Sequence, residues 1–176
     1  MKEVILQPDC TRCAALCCVA LAFDQSRMFA IDKPAGEPCP NLDACGACTI
    51  HSVRAERGFR GCIDFDCFGA GQRVTQEFFA GRSWTEDRAL VGPMSRAFSV
   101  LLRRHEQLLL LDQAEALDLS SQDRERLAAL RTRLVDSGVA VPGEKDLDAQ
   151  LTAFLASLRR YLSPENCASA TSAALA

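Results

Sequence analysis

Residues 10–18 read CTRCAALCC, and five further cysteines follow at positions 39, 45, 48, 62 and 67. The stretch from Cys10 to Cys67 therefore holds nine of the ten cysteines in a chain of 176 residues. A hydrophobic core has no reason to prefer cysteine over valine, alanine or leucine in one part of a chain. This uneven distribution indicates a metal-binding region.

The thiols also have the chemistry that metal binding requires. Cys10 and Cys13 form a Cys-x-x-Cys pair, in which two side chains can bind one metal, and thiolate suits both zinc and iron–sulfur clusters. The alternative is a set of reduced cysteines that serve only as small core residues. We favour metal binding, and the candidate ligands are Cys10, Cys13, Cys17, Cys18, Cys39, Cys48, Cys62 and Cys67.

Charge and the N-terminus narrow the choice of partners. The formal net charge is −3, and no run of Lys or Arg would follow a phosphate backbone, so we expect no nucleic-acid partner. The N-terminus lacks the roughly 7–15 apolar residues of a signal peptide, and no segment approaches the roughly 18–20 of a membrane span. We expect a cytoplasmic protein with no membrane partner, whose thiols stay reduced and free to bind metal. An exported protein would instead indicate a disulfide framework.

The first cysteines lie in a segment with a helical pattern. A helix is predicted from Asp9 to about Ala22, with Asp9 or Thr11 as its cap. On such a helix Cys10 and Cys17 would lie about 10 Å apart, which is awkward for one small ion. Either the helix is broken, or the thiols serve a larger cluster or two centres.

The remaining cysteines lie among weaker signals. Cys48 and His51 would share one helix face at a spacing common in metal sites. Gly69 and Gly71, just after Cys67, would let backbone approach sulfur closely. The predicted elements are a short strand at residues 29–32, a helix at 48–56 stopped by Gly58, and a helix at 74–80 ended by Gly81.

Three longer amphipathic helices are predicted after a polar connection at residues 82–93. They run from about Met94 to Leu117, from Ser120 or Ser121 to Gly138, and from after Gly143 to about Leu162. Their expected buried residues are Met94, Phe98, Leu101, Leu108 and Leu111, with Ala97, Leu102, Leu109 and Leu110 beside them; Leu127, Leu130 and Leu134; and Leu147, Leu151, Phe154, Leu158 and Tyr161 or Leu162. The predicted fold is mainly α. A cysteine-rich metal-binding region at 1–81 packs on an antiparallel helical bundle at 82–164, followed by a flexible tail at 165–176 that carries Cys167.

The cysteine pattern resembles the YkgJ-type family of zinc- or iron-chelating proteins. Its members share C-x-x-C-x-x-C-C, a lone cysteine, C-x-I-Y or C-x-I-H, an arginine and a further cysteine. The matching residues are Cys10, Cys13, Cys17, Cys18, Cys39, Cys48-Thr49-Ile50-His51, Arg54 and Cys62, with Cys67 as the eighth thiol. Residues 57–62 and 66–72 also look like the N-terminal region of some bacterial pentapeptide-repeat proteins, in which a helix with a step like His105-Glu106 follows.

Two features of this chain depart from the family pattern. Three residues, not two, separate Cys13 from Cys17. Other family members carry Tyr, which the pattern also allows, where His51 stands, so we expect His51 to donate a hydrogen bond to a thiolate rather than to bind metal. Cys45 matches no position of the pattern and is expected to be a bystander, or an exchangeable ligand beside Cys48.

The resemblance implies a zinc- or iron-binding protein, and one branch of the family is a flagellin lysine N-methylase that resembles an iron–sulfur protein. Four cysteines complete either a zinc site or a cluster, so spacing does not separate the two. We favour a 4Fe-4S cluster, with zinc as the alternative, because adjacent Cys17 and Cys18 do not easily enter one compact tetrahedral site. Eight thiols would serve two centres, a cluster with a zinc ion beside it, or one cluster with thiols to spare.

Three functions are compatible with this pattern. The first is an iron–sulfur protein with a redox or tailoring-enzyme role. The second is a structural zinc module whose helical half binds a protein partner, and the third is a cluster-based redox or metal sensor. The candidate acid–base groups are Asp64, Asp66, His51 and His105. Their ordinary alternatives are turn or capping roles for the two aspartates and a core position for His105.

Overall fold

The computed structural model describes residues 4–139 and 144–162, except for the side chains of residues 144 and 145. These residues are mainly helical. They contain no β-strand, although isolated bridges join Phe23 to Lys33 and Leu42 to Cys48. The predicted mainly α fold is confirmed.

The chain divides into two compact units. One is Val4–Glu106, which contains all the described cysteines, and the other contains the residues from Gln107 onward. The first unit extends past residue 81 into a long helix. The domain boundary predicted after residue 81 stays a prediction. The tail at 165–176, with Cys167, lies outside the described residues.

The first cysteines do not share one helix. Cys10–Arg12 is a 3-10 turn, in which the carboxylate of Asp9 accepts a hydrogen bond from the backbone N–H of Thr11 (3.0 Å). Helix α1 is Leu16–Ala20, and Ala15 before it has a left-handed φ of 50°. Residues other than glycine rarely adopt this conformation. The continuous helix predicted here is wrong, and the alternative of a broken helix is confirmed.

Two further local predictions are wrong. Residues 29–32 form bends instead of a strand, and the ring of Phe29 stacks on that of Phe23 with centroids 4.5 Å apart. The helix predicted at 48–56 is reduced to the 3-10 turn His51–Val53. Helix α2, Gly61–Asp64, is a single turn in a segment where we predicted no helix. Phe29 and Ala30 lie against Gly61 and Gly58, which are distant in the sequence, so packing rather than a local repeat shapes this region.

Helical structure becomes more regular toward residue 106. Helix α3, Ala70–Arg73, begins before the predicted start at residue 74 and continues as the π-helical turn Val74–Phe78. Helix α4 is Val91–Ala114. Its predicted buried residues are confirmed for Met94, Ala97, Phe98, Leu101, Leu108 and Leu111. Leu110, predicted to widen that face, is 46% exposed, because four consecutive leucines cover most of a helical turn and one side must face outward.

Helix α5, Ser121–Asp136, agrees with the predicted bounds. Helix α6, Glu144–Ser157, begins where expected but ends before the predicted Leu162, and the 3-10 turn Leu158–Tyr161 follows it. Ser120 caps α5, and its hydroxyl accepts from the backbone N–H of Asp123 (3.2 Å). The predicted buried residues are confirmed for Leu127, Leu130, Leu134, Leu147, Leu151, Phe154 and Leu158, whereas Leu162 is exposed. Among the helices of residues 4–139 and 144–162, none combines the length and apolar character that crossing a bilayer requires.

Polar contacts join the start of α5 to the residues after α6, and the end of α5 to the start of α6. Asp123, near the start of α5, accepts hydrogen bonds from Tyr161 (2.5 Å) and Arg160, which follow α6. Arg133, near the end of α5, pairs with Asp146 at 3.6 Å near the start of α6. These two helices are therefore antiparallel. The bonds from Tyr161 and then Arg160 lower the pKa of Asp123 to about 2.

Tyr161→Phe should raise the pKa of Asp123 toward its ordinary value of 3.8, because it removes the largest cause of the shift. A carboxyl-carbon NMR titration measures this, and the wild-type pKa of about 2 is the reference. Because the folded pKa lies below the unfolded one, this contribution to stability is present above about pH 4 and is lost as the pH falls toward 2. Arg160→Gln should act in the same direction, whereas Arg159→Gln, an exposed neighbour, is the control. An unchanged titration in Tyr161→Phe would contradict the assignment.

Candidate metal centre

Eight cysteine side chains surround one cavity of about 930 Å³ in the unit Val4–Glu106. They are Cys10, Cys13, Cys17, Cys18, Cys39, Cys48, Cys62 and Cys67. Cys45 is exposed and is not part of the cavity wall. The structure therefore brings together all eight thiols that the sequence pattern singled out and leaves out the one that matches no position of the pattern.

Cys10 and Cys13 are held by the polar face of α3 and of the π-helical turn after it. The backbone N–H of Asp9 donates to Oε1 of Gln72 (2.5 Å), and that of Ala14 donates to the hydroxyl of Thr75 (3.1 Å). The amide of Gln76 donates to the carbonyl oxygen of Arg12 (2.8 Å). Buried Trp84 adds a hydrogen bond from Nε1 to the carbonyl oxygen of Ala14 (2.6 Å). These bonds replace the secondary structure that the segment itself lacks.

Gly71 allows α3 to approach Cys13. A Cβ atom added to Gly71 would lie 2.5 Å from the Sγ atom of Cys13. Only a residue without a side chain fits at that distance, because van der Waals contact requires about 3.5–4.0 Å. The predicted close approach of backbone to sulfur after Cys67 thus occurs at Gly71. Gly69, at φ +76°, instead packs against the backbone of Ile5.

Helix α1 carries Cys17 and Cys18 side by side, with their Sγ atoms 3.9 Å apart. Cys39 is buried, and its backbone N–H donates to the carbonyl oxygen of Cys18 (2.9 Å). This hydrogen bond holds Cys39 beside the pair. The two prolines that flank Cys39 keep its backbone extended for this contact. Helix α1 thus brings a third thiol toward the pair.

Lys33 is a buried cation next to these thiols. Its Nζ atom donates to the carbonyl oxygens of Pro34 (2.9 Å), Glu37 (2.8 Å) and Val19 (3.4 Å), and only 4% of the residue is exposed. Burial lowers the pKa of Lys33, whereas thiolate charge at Cys39 would raise it. A negatively charged centre at these thiols would therefore stabilise the ammonium group, and Lys33 would supply a compensating positive charge.

Arg54 joins the turn after Cys48 to Cys62. Its Nε atom donates to the carbonyl oxygen of His51 (2.9 Å), and Nη1 donates to that of Cys62 (3.0 Å). The side chains of His51 and Arg54 both line the cavity, and His51 is exposed. Asp64 also lines the cavity at an exposed position, where it pairs with Arg60 at 3.2 Å. The predicted hydrogen bond from His51 to a thiolate stays a prediction.

The backbone after Cys67 is fixed by a buried histidine. Phe68 has a left-handed φ of 47°, and its carbonyl oxygen lies 2.5 Å from Nδ1 of His105. Arg73 donates from Nη1 to Nε2 of His105 (3.3 Å), so Nδ1 carries the proton and donates to Phe68. Burial, and then Arg73, lower the pKa of His105. His105 is thus a core residue that positions the Cys67 turn. This agrees with the core position that we gave as the alternative to an acid–base role.

Asp66 has a similar local role in the same turn. Its carboxylate accepts a hydrogen bond from the backbone N–H of Phe68 (2.7 Å). This is the turn role that aspartate commonly has. The structure accordingly gives Asp66 and His105 positions that support Cys67, and neither residue belongs to the cavity wall.

Burial keeps several of the metal-free thiols protonated. It raises the pKa of Cys13 to about 12 and that of Cys62 to about 11. Shared hydrogen bonding with Cys18, followed by burial, raises the pKa of Cys17. Metal binding at these thiols must therefore displace protons.

The thiols share a cavity but are not arranged as a finished site. Within residues 4–139 and 144–162, no three His, Cys, Asp or Glu side chains form a group that could hold a metal ion. The donor set nevertheless suits zinc or an iron–sulfur cluster, because it consists of thiols on short, separately held segments. Side-chain rotations would have to bring the sulfur atoms into ligand geometry.

Several supporting residues had no signal in the sequence. Lys33 belongs to a Lys-Pro turn that predicts an ordinary loop, and Gln72, Thr75 and Gln76 look like the polar face of a short helix. Trp84 was noticeable only as the single tryptophan of the chain. Their roles depend on partners distant in sequence, which local patterns do not specify.

Comparison with known proteins finds a relative. The chain is similar to the uncharacterized protein YybG of Bacillus subtilis (strain 168), with 41% identity over 115 residues, which are 65% of this chain and 41% of that protein. The chain thus spans less than half the length of this relative. No protein-family model and no solved structure matches the chain. The site itself therefore carries the functional argument.

Gly71→Ala should destabilise the metal-free, reduced protein by about 1–3 kcal/mol, because the new methyl group displaces the sulfur of Cys13 in a packed environment. Thermal or urea unfolding measures the change. The matched control is Gly92→Ala in α4, where the added Cβ would meet only the flexible end of Arg96, at 3.3 Å. Equal effects of the two substitutions would contradict the close packing at Gly71.

Alkylation of the metal-free protein near neutral pH should modify Cys45 well before Cys13 and Cys62. Cys45 is exposed, whereas burial raises the pKa of the other two thiols, and the thiolate is the reacting form. Timed iodoacetamide labelling followed by peptide mass spectrometry gives the order. Labelling of Cys13 as fast as that of Cys45 would show that this thiol is not protected.

Proposed function

We propose that this chain binds metal through the eight cavity thiols, as an iron–sulfur protein of the 4Fe-4S type with a redox or tailoring-enzyme role. The observation that carries the proposal is which cysteines line the cavity and which does not. Eight of the nine described cysteines, which belong to several separate segments between residues 10 and 67, line one cavity, and the ninth is exposed outside its wall. Core packing gives no reason for cysteines to converge in this way.

The surroundings of the thiols also support a cluster. The cavity wall includes Phe59, Phe65 and Phe98, and an apolar environment of this kind controls solvent access and redox potential. Lys33 and Arg54 place positive charge near the thiols, which would offset the negative charge of a thiolate-bound group. Such a cluster transfers electrons when every iron has a cysteine ligand and binds substrate when one iron is open.

The size of the cavity supports the redox or tailoring role. At about 930 Å³ it lies in the range of small-molecule sites, so it has room for a ligand beside a bound cluster. His51, Arg54 and Asp64 place polar groups on the same wall.

We further propose that α4 completes an antiparallel bundle with α5 and α6, which is supported by the hydrogen bond from Gln107 to Asp148 (2.9 Å).

The test is metal analysis of the full chain purified without oxygen. We expect a brown protein with iron and acid-labile sulfide in matching amounts, and an absorption spectrum that Cys45→Ser leaves unchanged. Cys13→Ser should lower the iron content. A colourless protein with stoichiometric zinc would overturn the cluster and leave a structural zinc module with a protein partner. Loss of the cluster on oxidation, together with a change of fold, would identify a redox or metal sensor.

A further inference from the structure

The eight cavity thiols are held by two separate sets of contacts. One set joins the segment before α1 to α3, and the other joins α1 to the loops around Cys39, Cys48 and Cys62. This division is a property of the chain itself, and it bears on how many centres the cavity holds.

The first set holds Cys10, Cys13 and Cys67. The backbone N–H of Cys13 donates to the carbonyl oxygen of Cys10 (3.4 Å), so these two residues share one turn. Gly71 packs against the sulfur of Cys13, and the N–H of Ala70 in the same helix donates to the carbonyl oxygen of Cys67 (2.9 Å). Helix α3 therefore connects the Cys10 turn directly to Cys67.

The second set begins at Cys18 and reaches Cys48. The N–H of Cys39 donates to the carbonyl oxygen of Cys18 (2.9 Å). The carbonyl oxygen of Cys39 in turn accepts from the N–H of Leu42 (3.1 Å), and Leu42 forms a β-bridge with Cys48. Three thiols are thus connected through consecutive backbone contacts.

The same set continues to Cys62. The N–H of His51 donates to the carbonyl oxygen of Cys48 (3.3 Å), and the carbonyl oxygen of His51 accepts from Arg54 (2.9 Å). The guanidinium of Arg54 also donates to the carbonyl oxygen of Cys62 (3.0 Å). An unbroken series of contacts therefore runs from Cys18 to Cys62 without passing through α3.

Cys17 lies where the two sets meet. It precedes Cys18 in α1, and the two Sγ atoms are 3.9 Å apart. Ala15, the residue before α1, directly follows Ala14, whose backbone is held by Thr75 and Trp84, so Cys17 also lies close along the chain to the first set. The second set already has four thiols with Cys18, so Cys17 is the thiol that completes the first.

We propose that the cavity holds two four-thiol metal centres. The first is formed by Cys10, Cys13, Cys17 and Cys67, and the second by Cys18, Cys39, Cys48 and Cys62. This inference rests on the proposed metal binding and adds to it the number of centres and the ligands of each. Four thiolates complete the ligand set of a zinc ion or of a cluster, so eight thiols in two sets of four leave none over. The Cys17–Cys18 step of α1 holds the two centres side by side.

The test counts metal in variants that each remove one ligand from one centre. Native mass spectrometry of the metal-free full chain titrated with Zn²⁺ should find two ions per wild-type chain and about one in Cys67→Ser and in Cys62→Ser. The double variant should retain none, and Cys45→Ser should retain both. In protein purified without oxygen, iron and sulfide should likewise fall by about half in each single variant.

The possible results separate the two proposals. A wild-type chain that binds no metal overturns the metal-binding function itself. If the wild-type chain has one centre and either single variant abolishes it, the proposal of two centres is overturned and the proposal of metal binding stands. Two centres that are both lost in Cys67→Ser, with the variant still folded by circular dichroism, overturn the assignment of ligands.

A measurement on the unsubstituted protein covers the case in which a variant fails to fold. Zinc is removed gradually with a chelator, and exposed thiols are labelled at intervals and mapped by mass spectrometry. Cys10, Cys13, Cys17 and Cys67 should become reactive together, and Cys18, Cys39, Cys48 and Cys62 should do so together at a different rate. Eight thiols released at one rate, or in mixed sets, would overturn the proposal.

Discussion

The contact between residues 9–14 and the helical segment 70–76 is the constraint on which the cysteine cavity depends. Gln72, Thr75 and Gln76 satisfy backbone groups of residues that lie 61 to 64 positions away, and Gly71 allows the close approach of the two segments. Residues 10–15 contain one 3-10 turn and a left-handed alanine, so they have little structure of their own to hold them. Without this contact, Cys10 and Cys13 would have no fixed place relative to the other thiols.

The cavity combines thiols that burial keeps neutral with cations that favour negative charge. High pKa values at Cys13 and Cys62 oppose thiolates in the metal-free protein. Lys33, although buried, is stabilised by three carbonyl oxygens, and Arg54 bridges two cysteine-bearing segments. A metal would replace the thiol protons and give these cations a partner. Metal binding would thus stabilise the loops that carry the ligands, because the hydrogen bonds of Lys33 and Arg54 hold these loops as well as the two cations.

Prediction from the sequence succeeded where structure is locally encoded. Helices α5 and α6 begin where expected and bury the expected leucines and Phe154, because an amphipathic repeat with a cap such as Ser120 specifies a helix within its own length. It failed at residues 29–32 and 48–56, where a bend with stacked phenylalanines and a single 3-10 turn replace the predicted strand and helix. Hydrogen bonds to nearby loops hold these segments instead, such as those from the N–H of Gln25 to Asp32 (2.6 Å) and from the N–H of Thr49 to the carbonyl oxygen of Asn41 (2.8 Å).

The sequence by itself determined the chemistry of the candidate site. Residue type and spacing singled out the thiols and predicted a mainly helical chain, because ligand identity and helical periodicity are properties of the residues themselves. The resemblance to a family pattern separated Cys45 from the other eight. Only the tertiary structure decided that these eight thiols line one cavity, that Lys33 lies buried beside them and that His105 supports the Cys67 turn. These relations arise from contacts between segments far apart in the chain, whose partners no local pattern specifies.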